Sequence, residues 1–222
     1  IFKDFCYYDE FKQRFYTTWR TGKAHEITDA DHINILIYLQ NILGIQNIKR
    51  EHVWQAIIDY SHDHIKNAPK EWFESLVWDG VERISEFFPA IFGADPTEYS
   101  KSAGRNFWIA MIARIYEPGC QHDHVPMVYG KQGIGKSTLF REIAGAEWFG
   151  EASFASITRQ NYCQIFQGRL IIEFADLAGL SRQDEEAVKK FITDRLDPYR
   201  TPYDRLDANH PRQCVFVGTT NR

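Results

Sequence analysis

The sequence predicts an α/β fold: a mainly parallel sheet covered by helices after about residue 119, with an α-helical domain before it. Three observations predict it. Apolar residues recur at helical spacing through most of residues 1–118. After residue 119, short β-rich apolar runs at 125–129, 170–174 and 214–217 alternate with helical stretches at 137–144, 158–166 and 181–193. A glycine-rich run, Gly130 to Ser137, stands between the first of those strands and its helix. Alternating strands and helices imply parallel strands buried on both faces. The predicted division is therefore 1–118 and 119–222.

The elements follow in order. Phe2, Phe5, Tyr8, Phe11 and Phe15 predict a first helix. Thr28 is a good N-cap, with Asp29 and Asp31 in the first turn. Ile33, Leu36, Ile37, Ile42 and Leu43 form the expected inward face, and Gly44 ends the helix. A second helix is expected over 49–67 with Val53, Ile57, Ile58 and Ile65 inward, and a third over 99–115, broken by Pro118-Gly119. Ser181 and Asp184 resemble a capping pair. Trp19, Trp54, Trp72, Trp78 and Trp108 are expected to build the helical core and its packing onto the sheet.

Composition narrows the function. The chain has 222 residues, 44% hydrophobic and 15% aromatic, enough for a real core. A formal charge of −4 excludes a strongly basic DNA-coating protein but leaves room for a local basic groove. The longest apolar runs are far shorter than the roughly 20 residues a membrane span needs, and no secretion signal is visible. Cys6, Cys120, Cys163 and Cys214 have no paired spacing, so free thiols in a reducing cytoplasm are expected rather than a zinc site or a disulfide frame. The chain starts without methionine and stops just after a strand-like run, which reads as a segment of a longer protein.

The glycine-rich run fits G-x-x-x-x-G-K-[ST] at every fixed position, and its strand–loop–helix setting is the one the motif requires. Glycines let backbone N–H groups turn toward a polyanion, and the helix N-terminus adds partial positive charge. Gly130, Lys131, Gln132, Gly133, Ile134, Gly135, Lys136, Ser137 and Thr138 are the candidate nucleotide-binding residues. Lys136 is expected on the β- and γ-phosphates of ATP, and the Ser137 hydroxyl on Mg²⁺, a cation that takes oxygen ligands. The strand at 170–174 carries Glu173 and leads to Asp176. One of these acids would orient the magnesium shell or polarise the attacking water; which one polarises water stays open, and the longer Glu173 would act on the metal through a water. The third strand ends in Gly218-Thr219-Thr220-Asn221, where Asn221 could sense the γ-phosphate between the other two strands.

The ordered set Pro118-Gly119-Cys120, Gly130 to Ser137, Glu173-Phe174-Ala175-Asp176-Leu177, Asp197-Pro198-Tyr199-Arg200-Thr201-Pro202-Tyr203, Pro211-Arg212 and Gly218-Thr219-Thr220-Asn221 resembles the virulence-associated protein E family. Trp78-Asp79-Gly80 also fits, so the resemblance spans roughly residues 25–222. These are ATPases of phages, plasmids and pathogenicity islands, similar to superfamily 3 replicative helicases. The resemblance implies an AAA-like P-loop NTPase core, a hexameric motor on single-stranded or forked DNA, and a helical collar before the core. A primase or other replication domain often shares the full-length protein. It also implies a channel-facing hairpin in the basic segment before Asn221. There Arg200 and Arg205 would meet the phosphate backbone, and Tyr199 and Tyr203 would stack on bases. A solvated, salt-bridged face is an equally good reading, since aspartates interleave.

Hydrolysis in such rings needs an arginine from a neighbouring subunit; Arg212 is one candidate, and a residue beyond Arg222 is another. Lys189 and Lys190 follow acidic residues at helical spacing and read as an exposed helix face. The triplets His62-Asp63-His64 and His122-Asp123-His124 read as polar surface rather than metal sites. Two other classes compete with the motor. One is a small-molecule kinase or GTPase, the latter disfavoured by the lack of an N-K-x-D motif. The other is a nucleotide-gated module that binds or loads a partner replication protein.

Overall fold

The computed structural model describes residues 5–153, 165–175, 182–200 and 208–220, with backbone only for 182–185. The chain forms two compact units, Ile1–Trp72 and Phe73–Arg222.

The first unit is not all-helical. Its strands are β1 (Cys6–Asp9), β2 (Arg14–Thr17), β3 (His25–Glu26) and β4 (Ile65–Lys66), in the order β3-β2-β1-β4. The aromatics read as a helix instead form the antiparallel β1–β2 pair, in which Tyr8 lies opposite Phe15 and Tyr7 opposite Tyr16. The turn decides this. Oδ1 of Asp9 accepts the N–H groups of Phe11 and Lys12, and Gln13 takes φ 52°, which together fold the chain back on itself. Helical spacing and strand alternation both fit a run this rich in aromatics, and cross-strand ring pairs settle it.

Helix α1 (Asp29–Asn41) starts where expected: Thr28 and Asp31 form a reciprocal capping box. Its inward face is different. Ile35 and Leu39 are buried, whereas Ile33, Ile37 and Ile42 are 46%, 47% and 68% exposed. The stretch is apolar on two sides, so periodicity alone could not choose between them. Helix α2 (Arg50–His62) buries Val53 and Ile57 and stops before Ile65, which joins β4. Cys6, Ile27, Ile35, Leu39, Val53 and Ile57 form the core here, with Trp19 and Trp54 packed against it. Helix α3 (Ala68–Ser75) follows, carrying Trp72, which is 46% exposed.

In the second unit the loop after α3 leaves Trp78 73% exposed, so neither Trp72 nor Trp78 fills a core as expected. Then come α4 (Phe87–Phe92) and α5 (Glu98–Tyr116), with Thr97 as the N-cap of α5. The central sheet holds β5 (Met127–Tyr129), β6 (Phe149–Ala152), β7 (Ile171–Ala175) and β10 (Val215–Thr220). Its order is β5-β10-β7-β6, and every pairing is parallel. Helix α6 (Lys136–Ala144) follows β5, and α7 (Arg182–Thr193) follows β7. Strands β8 (Leu196–Tyr199) and β9 (Ala208–Pro211) pair antiparallel as a separate ribbon. The expected helix over 158–166 lies outside the described residues except for its end, where 165–166 are helical.

The division near residue 118 is therefore corrected: residues 73–118 belong with the sheet. The cause is the packing of α5. Phe107 meets Phe140 of α6 at 6.1 Å between ring centres. Arg114, only 1% exposed, donates to the carbonyl of Cys214 at 2.6 Å, where β10 begins. It also donates to the carbonyls of Cys120 and His122, so one buried side chain ties helix, connecting loop and strand together.

Candidate functional site

Strand order builds the site. In an open parallel sheet, ligands gather at the carboxyl ends of the strands. Three of those ends meet here: β5 leads into the glycine-rich loop, β7 carries Glu173, and β10 runs between them.

The loop adopts what its glycines allow. Gly133 and Gly135 have φ of 81° and 92°, a region that side chains disfavour. Gly135 is the N-cap of α6 and offers no side chain, which leaves the first N–H groups of that helix available to an anion. A cavity of about 300 Å³ opens there, lined by Gln132, Gly133, Gly135, Lys136, Ser137, Thr138, Ala175, Thr219 and Thr220. A larger apolar hollow of about 630 Å³ lies in the first unit, between Trp19, Ile37 and Ile42. It offers no such backbone cradle.

Lys136 is 8% exposed, and its ammonium donates to the loop carbonyls of Gly130 at 2.8 Å and Lys131 at 3.0 Å. These bonds curl the loop around the charge. Glu173 is 2% exposed in the middle of β7. Its Oε1 accepts the Ser137 hydroxyl at 2.7 Å and, in a short contact, the Thr219 hydroxyl. Its Oε2 is buried with no hydrogen-bond partner among the described residues. A buried carboxylate oxygen left without a donor is costly, and a hard cation with its water shell is the chemistry that satisfies it. A lysine, a serine hydroxyl, a buried carboxylate and a helix N-terminus thus fit a nucleotide phosphate with Mg²⁺. Lys136, Ser137 and Glu173 would hold them.

Of the sequence-predicted residues, the structure brings together the loop residues, Lys136, Ser137, Thr138 and Glu173. Asp176, Asn221, Tyr203 and Arg205 lie outside the described residues. The threonines of β10 were missed as individuals. Their signal was two hydroxyls at positions that must be buried, since β10 is buried along its whole length.

Two predicted roles are corrected. Arg212 is 1% exposed and locked by Asp197, at 2.6 Å from Nη2, and by the Phe191 carbonyl at 2.7 Å from Nη1. Phe191 and Phe216 flank its guanidinium at 4.8 and 5.0 Å. Burial alone would lower its pKa, but the bonds to Asp197 outweigh that and hold it above the ordinary value. A side chain held this way cannot reach a neighbouring subunit. Tyr199 is 5% exposed and stacked on His210 at 4.0 Å, so its ring is already taken rather than open to a base. Arg200 is exposed at the end of β8. The expected hairpin is there: Leu196 pairs with Pro211 and Tyr199 with Ala208. Its base is fixed by Arg212 and by the backbone bond from Arg212 to Arg195 at 2.9 Å.

The connecting loop before β5 holds a further perturbed group. Burial lowers the pKa of His122 to about 4, helped by the nearby charges of Arg114 and His124. Among the described residues no group of three or more histidine, cysteine or acidic side chains is placed to hold a metal. No helix among them is long and apolar enough to cross a membrane.

No curated protein matches the chain. The solved "A form apo structure of NrS-1 C terminal region-CTR" is similar with a TM-score of 0.53 and 15% identity, over 98% of this chain and 54% of that one. A second structure of that region, described as residues 305–718, gives 0.47 at 15% identity, over 98% and 53%. The chain thus spans about half the length of these structures, and at such identity the likeness concerns the fold. The Virulence-associated protein E-like domain matches residues 73–222, which coincide with the second compact unit. The chain therefore belongs to the virulence-associated protein E-like family.

Proposed function

We propose that this chain is the ATP-hydrolysing core of a replicative DNA helicase or translocase of a phage or other mobile element, with a P-loop NTPase fold of the AAA-like, superfamily 3 type. The observation that carries the reading is the meeting of Lys136, Ser137 and buried Glu173, brought from β5 and β7 across the intervening β10. Family membership supports the setting, and the NrS-1 likeness supports the fold.

In this reading the loop N–H groups and the Lys136 ammonium bind the β- and γ-phosphates. Lys136 must first leave the carbonyls of Gly130 and Lys131, so polyphosphate binding and loop opening are one event. Mg²⁺, when bound, neutralises charge on the phosphate oxygens. Ser137 and Glu173 would hold its shell, and Asp176 or Glu173 would orient the attacking water for in-line displacement. Asn221 senses loss of the γ-phosphate. Arg200, just after β8, and Arg205 and Tyr203, which follow it in sequence, remain the proposed DNA contacts. The protein acts as a ring, a hexamer by family analogy, and Arg212, committed to Asp197, is not the hydrolysis-promoting arginine.

The test is ATP hydrolysis by the full-length protein with and without single-stranded DNA, with oligomer mass recorded in parallel and Lys136→Ala as control. Hydrolysis that rises with DNA, appears only in the assembled state and vanishes in Lys136→Ala is the expected result. Active hydrolysis that ignores every DNA contradicts the motor. ATP binding without hydrolysis, assembled or not, favours the nucleotide-gated partner module instead.

A further inference from the structure

The Thr219 hydroxyl has no part in the reading above, yet it shares the Glu173 oxygen that the Ser137 hydroxyl binds. Thr219 is 6% exposed in β10, where it pairs with Ala175 of β7 while Val217 pairs with Glu173. Its Oγ1 donates to Oε1 of Glu173, the same oxygen that takes the Ser137 hydroxyl at 2.7 Å. The two donors come from different elements. Ser137 lies in the first turn of α6, beside the loop that opens for phosphate; Thr219 sits in a fully buried central strand. Only the second is independent of loop movement.

The need for a second donor follows from the acid. Glutamate has one more rotatable bond than aspartate, and each free torsion broadens the positions its carboxylate can take. Two hydroxyls on one oxygen remove that freedom and leave Oε2, buried and unpartnered among the described residues, pointing in a single direction. We propose that Thr219 is a positioning residue: its hydroxyl fixes the long Glu173 side chain so that Oε2 is presented to the metal shell whatever the state of the loop. This rests on the ATP–Mg²⁺ reading.

The experiment uses the full chain and reads metal binding rather than turnover. Mn²⁺ affinity in the presence of a non-hydrolysable ATP analogue is followed by electron paramagnetic resonance, and metal-free analogue affinity by calorimetry. Thr219→Val keeps the shape and deletes the hydroxyl; Thr219→Ala replaces it if the valine variant does not fold. Mn²⁺ affinity is expected to fall on the order of ten- to a hundred-fold, to return in Thr219→Ser, and to fall further than metal-free analogue affinity does. Wild-type Mn²⁺ affinity in a folded hydroxyl-free variant overturns the inference alone. Failure of the wild-type protein to bind Mn²⁺ with the analogue overturns the ATP reading and this inference with it.

Discussion

Arg212 shows how little a residue type says before its surroundings are known. In sequence it is a free cation beside a family motif. In the structure it is a buried guanidinium paired with Asp197 and flanked by phenylalanine rings. Removing one partner of such a pair strands the other charge in a low dielectric, at a cost of about 3–5 kcal/mol. Arg212→Met is therefore expected to lower the denaturant midpoint severely, whereas Arg200→Ala, at an exposed position, stays within about 0.5 kcal/mol of wild type. Equal stability of the two variants would contradict the assignment. Lys136, Ser137 and Glu173 were legible because their chemistry is tied to fixed spacing and to a strand end. Arg212 and Tyr199 were not, because burial depends on which distant phenylalanines and which histidine fold over them.

Elements were legible where a local signal was unique. The Thr28 capping box fixed the start of α1, and the strand–loop–helix run fixed β5 and α6. They were lost where two periodicities competed, as in the aromatic β1–β2 pair and on the two apolar sides of α1. Strand β6 had no distinct pattern; it is held by its pairing with β7. The loop between α5 and β5 makes its own prediction. His122 has a pKa of about 4 in the folded protein against an ordinary 6.5, so the unfolded state binds the proton first. Its contribution to stability is present above pH 6.5 or so and is lost as pH falls toward 4. His32 titrates in the same sense, so the comparison needs a variant. Denaturation across that range should show a weaker loss on acidification in His122→Gln than in wild type. An unchanged slope would mean that His122 is not buried as described.

At the scale of the whole molecule, two units each carry their own core. The family match covers the second, while the NrS-1 likeness extends over both. The predicted parallel α/β sheet holds for the second unit, while the first, where a helical domain was expected, combines helices with a mixed and mostly antiparallel sheet. Every functional group argued above lies in the second unit. The central claim is that the loop at 130–138 binds nucleotide phosphate through Lys136. The measurement that tests it most directly is hydrogen exchange of the full chain with and without ATP and Mg²⁺, in wild type and Lys136→Ala. Protection is expected at 130–138 and at the ends of β7 and β10, absent in Lys136→Ala and absent from the first unit. Protection that survives Lys136→Ala, or that falls in the first unit and spares the loop, would contradict it.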